Sequence, residues 1–370
     1  MSGKERSANE MEKLQEHFIR KALVNGLSEE IAHEIWRQIA SFAGYAFCKA
    51  HSASYAQLSF KVAYLKAHYP AEFMAAVLSN QGGFYHPSVY LSETRHLGLR
   101  ILLPDINKSH YHYTTETYPP VETNRQKVSR FSRQCNAVRI GFLQIKYLSR
   151  STITAVINQR KNGPYASLED FLLRTDVPCS EVEILIKIGA MNFIQNATMK
   201  TLTIPQLLWK LKLLYPLIQK WKTKRNGIIA KEPLSSMELP DLPEYSLKER
   251  IKLEEEYLGM PVSVHPIVPY LQNKKMNGTV SSRHFKRYVG KIVRVVGWLT
   301  ALKRITTSKG EYMLFISFED MDGFYEATLF PQAYSQSGSM LTDRGPYRVT
   351  GTVNNEYGSL SINVATIQHL

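Results

Sequence analysis

The sequence predicts a multidomain α+β protein, mainly α-helical over its N-terminal two-thirds and ending in a C-terminal β-barrel. Apolar residues recur at helical spacing through the first 258 positions, and the pattern switches to period two from Val289. The length, 370 residues, exceeds what a single hydrophobic core organises, so two or three domains are expected. Hydrophobic residues at 44% and charged residues at 21% exclude wholesale disorder. No apolar run reaches the roughly eighteen residues of a membrane helix, and no signal-peptide core is seen. Cys48, Cys135 and Cys179 are odd in number and outside any CxxC, which argues against disulfides or a cysteine zinc site and fits a reducing, cytoplasmic setting.

In chain order, Met11, Leu14, Phe18 and Ala22 set a helix over Asn9–Leu23, closed by Gly26. Ser28 caps a second helix running to Ala40, with glutamates in its first turn. The loop Ala43–Lys49 leads into a long helix, His51–His68, which Tyr69–Pro70 ends. A short helix over Ala71–Ser79, another over Pro87–Leu97 and a strand over Leu99–Leu103 follow. Arg125–Arg133 reads as a loop or hairpin and Ala137–Phe142 as a strand. Helices are expected over Ser149–Arg160, from the capping pattern Ser167–Asp170, over Glu181–Ile188 up to Gly189, and over Pro205–Lys222 with Pro216 as a candidate kink. Three prolines mark a linker over Lys224–Tyr245, after which the capping box Ser246–Glu249 opens the helix Lys248–Leu258. Strands follow over Lys291–Thr300, Leu302–Thr307, Glu311–Glu319, Tyr325–Phe330, Tyr347–Val353 and Leu360–Ile367, with a short helix over Gln332–Leu341. Five strands in about 80 residues, with a helix before the last two, is the pattern of an oligonucleotide-binding (OB) barrel.

The formal charge is +14. Residues 121–235 hold 19 basic and 7 acidic side chains, net +12, while the flanking segments are each near neutral. Tryptophans interleave the lysines there, in Trp209–Lys212 and Lys220–Arg225. That pattern points to phosphate contact, with a solvated basic face as the alternative.

The run Phe42–Ala56, FAGYAFCKAHSASYA, continued by Tyr64–Met74, YLKAHYPAEFM, resembles the fingers-domain signature of the bacterial DNA polymerase III alpha subunit. Leu103–Asn107, Glu256–Pro261 and His265–Pro266 are similar to later landmarks of that family, in its order. The resemblance covers essentially the whole chain but only the family's C-terminal portion, and Gly83–Phe84–Tyr85 is similar to the error-prone branch. It implies a fingers-like segment at 1–120, a helix-hairpin-helix-like domain at 121–222, a linker with a charged helix at 223–288 and an OB-fold at 289–370. It also implies that the palm, whose aspartates hold two metal ions, lies outside these residues. No catalytic or metal-binding residue is therefore expected, and Mg2+ only together with a palm supplied elsewhere. Asp320–Met321–Asp322 is the sole Asp-x-Asp and reads as a solvated turn beside Gly323.

On the fingers segment, His51 and Tyr55 share one helix face, and Lys49 precedes it. The resemblance makes these three the nucleotide-binding candidates; a buried histidine and tyrosine in an ordinary helix pair is the alternative. Ile145–Arg150 sits where the family has its hairpin turn, but Tyr147 and Ser149 occupy the places of the glycines that bring backbone N–H groups to phosphate. Lys146, Arg150 and Ser151 remain as side-chain contacts, and a working hairpin and a structural one are both open. The second copy, Leu185–Ala190, keeps one glycine. The basic candidates on the long helix and after it are Lys210, Lys212, Lys222, Lys224 and Arg225. In the barrel, Lys303, Arg304 and Lys309 accompany Tyr312 and Tyr325 as stacking platforms for single-stranded DNA, whereas Phe318 and Phe330 read as core. Gln206–Trp209 is a weak sliding-clamp signal, and His110 with His112 is a loop pair rather than a metal site.

The expected function is template and nucleotide handling in DNA replication or error-prone synthesis, as a split-off part of a nucleotidyltransferase that is not catalytic alone. The expected partners are template-primer and single-stranded DNA and the polypeptide bearing the palm. The alternative is a stand-alone single-strand-binding adaptor or an inactive remnant.

Overall fold

The computed structural model describes residues 8–41, 49–81, 83, 85–118, 135–194, 201–223, 239–271 and 277–370. The chain divides into two compact units, residues 1–65 and 66–370.

The first unit holds α1 (Ala8–Val24), α2 (Glu29–Ser41) and most of α3 (Lys49–His68). Gly26 turns the chain at φ +87°, Ser28 caps α2, and Phe18 meets Trp36 with ring centroids 5.6 Å apart. Residues 51–65 of α3 are all exposed, although apolar side chains occupy every side of that helix.

The second unit begins with α4 (Pro70–Asn80) and α5 (Pro87–His96), then a small sheet. There β3 (Ala137–Arg139) lies between β1 (Arg100–Leu102), parallel to it, and β2 (Thr114–Glu116), antiparallel. β2 was not legible in the pattern. Arg139 grips Glu116 with two nitrogens and donates its third to the Leu103 carbonyl at 2.8 Å, joining all three strands. Next come α6 (Arg150–Gln159), α7 (Leu168–Arg174), α8 (Cys179–Lys187), α9 (Ile204–Thr223) and α10 (Leu247–Leu258). Ser149, Ser167 and Ser246 cap α6, α7 and α10, and Ser246 with Glu249 forms the expected capping box. Leu207, Leu211, Leu214 and Ile218 turn one stripe of α9 into the core shared by α4 to α10. Pro216 stands within α9, on its exposed side.

The rest is a closed barrel of β4 (Ile292–Thr306), β5 (Tyr312–Glu319), β6 (Phe324–Leu329), β7 (Tyr347–Glu356) and β8 (Ser359–His369), in the order β4-β5-β6-β8-β7, with α11 (Pro331–Ser337) before β7. The expected strands Lys291–Thr300 and Leu302–Thr307 are a single strand. A bulge between Leu299 and Ala301 shifts its register against β5, which broke the period-two signal. The parallel pairing of β6 with β8 closes the barrel.

A buried polar junction fastens the barrel to the helices. Glu319 of β5 accepts the Ser92 hydroxyl of α5 at 2.7 Å, and His265 Nε2 stands 3.3 Å from its other oxygen. The Ile267 amide donates to His265 Nδ1 and fixes the orientation of the ring. Arg344, before β7, donates to Ser88 Oγ at 2.7 Å, and His96 packs edge-on against Phe324. The outer surface of the barrel around Glu319 and Phe324 is thereby occupied.

Candidate nucleic-acid interface

On α3, the four-residue spacing brings His51 and Tyr55 edge to face with ring centroids 4.4 Å apart, both exposed. They are surface groups, not a buried pair. Lys49 begins the helix, and its side chain lies outside the described residues, as do Tyr45, Phe47 and Cys48. Lys66 pairs with Glu93 at 2.7 Å.

The hairpin turn before α6 keeps glycine-like geometry without glycine. Tyr147 adopts φ +63° with its side chain 76% exposed, a left-handed conformation that costs a residue with a Cβ about 1 kcal/mol. Its ring meets Tyr257 of α10 edge-on at 6.5 Å, and the Lys146 amide donates to the Tyr257 carbonyl at 2.7 Å. At the second glycine position, the Ser149 amide and hydroxyl both donate to Glu181 Oε2, at 3.0 and 3.1 Å. A carboxylate from α8 thus satisfies the backbone donor of this turn. Lys146 and Arg150 are exposed, and Ser151 Oγ is 2.9 Å from Ser149 Oγ. The second turn runs through Gly189 at φ +78°, and its Ala190 carbonyl accepts the Ile106 amide.

On α9 the lysines separate into two sets. Lys210 is drawn inward onto Glu169 at 2.7 Å, and Lys222 binds Asp176 at 2.7 Å and the Thr175 carbonyl. Lys212 stays exposed. Lys224 and Arg225 lie outside the described residues. The sequence could not reveal these ion pairs, because Glu169 and Asp176 sit more than forty positions before their partners. Gln206 accepts the Thr203 amide and donates to the Pro240 carbonyl while Leu207 is buried, so Gln206–Trp209 lies in the first turns of α9.

On β5, Leu314, Ile316 and Phe318 face the core, while Phe315 and Ser317 face out. Phe315 lies opposite Lys303 on β4 and Thr328 on β6. Next to the turn of the hairpin, the Arg304 guanidinium lies 5.0 Å over the Tyr312 ring, which stands 6.2 Å from Tyr334 of α11. Lys309 is exposed at the hairpin tip. Tyr325 overturns its expectation as a stacking platform: it is 4% exposed and packs between Phe285 and Phe318. Burial, and then nearby Asp320, push its hydroxyl well above the usual tyrosine range. Phe330, expected in the core, is exposed, and Tyr334 and Phe315 are the aromatic groups the expectation passed over.

Asp320 corrects the expected solvated turn. It is buried, one oxygen accepting the Ser282 hydroxyl and the Asp322 and Gly323 amides, the other the Ser282 amide, so its lone pairs serve the fold. Asp322 accepts the Ser281 hydroxyl. This donor set does not suit the metal ions of phosphoryl transfer. Among the described residues no three His, Cys, Asp or Glu side chains are grouped to hold a metal, and no helix is long and apolar enough to cross a membrane.

Residues 98–200 match the helix-hairpin-helix motif family and residues 293–370 the OB-fold nucleic acid binding domain. The error-prone DNA polymerase of Symbiobacterium thermophilum is 28% identical over 99% of this chain and 36% of its own length. The DNA polymerase III alpha subunits of Xylella fastidiosa (strain Temecula1) and Bacillus subtilis are each 30% identical, over 90% and 88% of this chain and 28% of their own lengths. The chain therefore spans about a third of these relatives. With a helix-hairpin-helix region leading into an OB-fold barrel, and homology along nearly all of its residues, it is a homologue of the bacterial DNA polymerase III alpha and error-prone DNA polymerase family.

Proposed function

We propose that these residues form the C-terminal portion of a DNA polymerase III alpha subunit and handle template DNA and incoming nucleotide. In this account the carboxylates that hold the catalytic metals lie on polypeptide outside the 370 residues. The fingers-like segment (1–120) presents Lys49, His51 and Tyr55 to the nucleotide, and the barrel (289–370) holds single-stranded template. The intervening basic domain (121–222) and linker (223–288) supply phosphate contacts, Lys146, Arg150 and Ser151 at the hairpin among them. The single observation that carries the proposal is the free end of the barrel. There the Arg304 guanidinium lies over the Tyr312 ring, which leans toward Tyr334, while Lys303 and Phe315 pair on the other face of the hairpin, offering aromatic faces to bases and cations to phosphates.

The test is reconstitution of primer extension. The chain alone should bind a primed template without extending it, and should restore or strengthen extension when combined with a palm-bearing polypeptide from a relative. A chain that binds DNA but never supports synthesis is an adaptor, and the polymerase proposal then falls.

A further inference from the structure

The exposed side of α9 is built differently from the cationic stripe that the sequence promised. Opposite the buried Leu207–Leu211–Leu214–Ile218 stripe, Trp209 (50% exposed), Leu213 and Leu217 (50% exposed) follow one another at four-residue steps. At 1.5 Å per residue they form an apolar track about 12 Å long. Lys212 and Lys220 are exposed beside it, and neither is in an ion pair among the described residues. The inward lysines, by contrast, are already neutralised by Glu169 and Asp176. No aspartate or glutamate occurs anywhere in α9, so the charge complement of this face is an anion.

We infer that the outer face of α9 seats single-stranded DNA, with Trp209 stacking on a base and Lys212 and Lys220 holding the flanking phosphates. This rests on the nucleic-acid function proposed above and refines it by naming the strand state and the helix. Three features favour a polynucleotide over an acidic protein helix. The surrounding segment is strongly basic, net +12 over residues 121–235. A half-exposed indole offers the flat face that unpaired bases stack on, whereas a duplex hides its bases. Pro216 lies on the same exposed side and interrupts the regular ridge that a partner helix would interdigitate with.

The experiment titrates the full chain with oligo(dT), following tryptophan fluorescence alongside anisotropy of the labelled oligonucleotide. Tryptophan emission should be quenched in step with binding. Trp209→Phe, which keeps an aromatic face, should bind nearly as well but lose most of the quenching. Trp209→Ala should weaken binding to oligo(dT) about tenfold while changing duplex binding little. If Trp209→Phe quenches like the wild type, or Trp209→Ala binds oligo(dT) undiminished, DNA lies elsewhere and the inference is overturned with the proposed function intact. An anisotropy that never changes removes both. Quenching of Trp209 by a synthetic acidic amphipathic peptide but not by oligo(dT) also overturns the inference, in favour of a protein partner.

Discussion

The carboxylate of Glu181 holds both the backbone N–H and the hydroxyl of Ser149, at 3.0 and 3.1 Å, in the turn where helix-hairpin-helix proteins bring backbone to phosphate. The hairpin geometry survives in the left-handed Tyr147, but its second backbone donor is satisfied from within.

Glu181→Ala removes a charge-assisted pair from the entrance of α6 and should lower stability by about 1.5–3 kcal/mol. Urea unfolding checks this. Low-salt DNA affinity should hold or rise, because the lost carboxylate repels phosphate; a fall would mean that the turn itself grips DNA through that carboxylate's arrangement.

The two barrel tyrosines should separate cleanly. Tyr312→Ala is expected to weaken single-strand binding by about 1–3 kcal/mol with little effect on folding. Tyr325→Phe is expected to leave binding unchanged and to keep or slightly raise stability, since the hydroxyl it removes is buried with no hydrogen-bond partner among the described residues. Anisotropy and thermal melting of the two variants check the pair.

His86 supplies a pH dependence. Burial, then Arg344 and Lys146 nearby, lower its pKa from the ordinary 6.5, and its Nδ1 accepts the Ser88 amide that opens α5. The unfolded chain thus takes up this proton at a higher pH than the folded one. Stability from this group is present above pH 6.5 and is lost as the pH falls from there toward the lowered folded value. Melting temperatures between pH 7.5 and 5 should fall less steeply for His86→Gln than for the wild type.

What the sequence made legible was local. The capping box of Ser246 and Glu249 spans four residues, and the leucine stripe of α9 spans fewer than fifteen, so both could be read along the chain. What it concealed depends on partners far apart. Lys210 looked free until the fold brought Glu169 against it, and Ser149 until α8 delivered Glu181. Tyr325 and Tyr312 both read as strand aromatics, and only the register of β5 with β4 and β6 decides which one faces solvent. The Ser92–Glu319–His265 junction, joining segments 54 to 227 residues apart, left no local trace.

The central claim, a cationic surface that grips single-stranded DNA through phosphates and bases, is tested most directly by the salt dependence of oligo(dT) binding to the intact chain. The logarithm of the binding constant should fall linearly with the logarithm of salt concentration, by about 0.7 for each phosphate neutralised, with several phosphates engaged. The double variant Lys303→Ala, Arg304→Ala should reduce that slope by about one to two phosphates. No affinity at low salt, or a binding constant indifferent to salt, would contradict it.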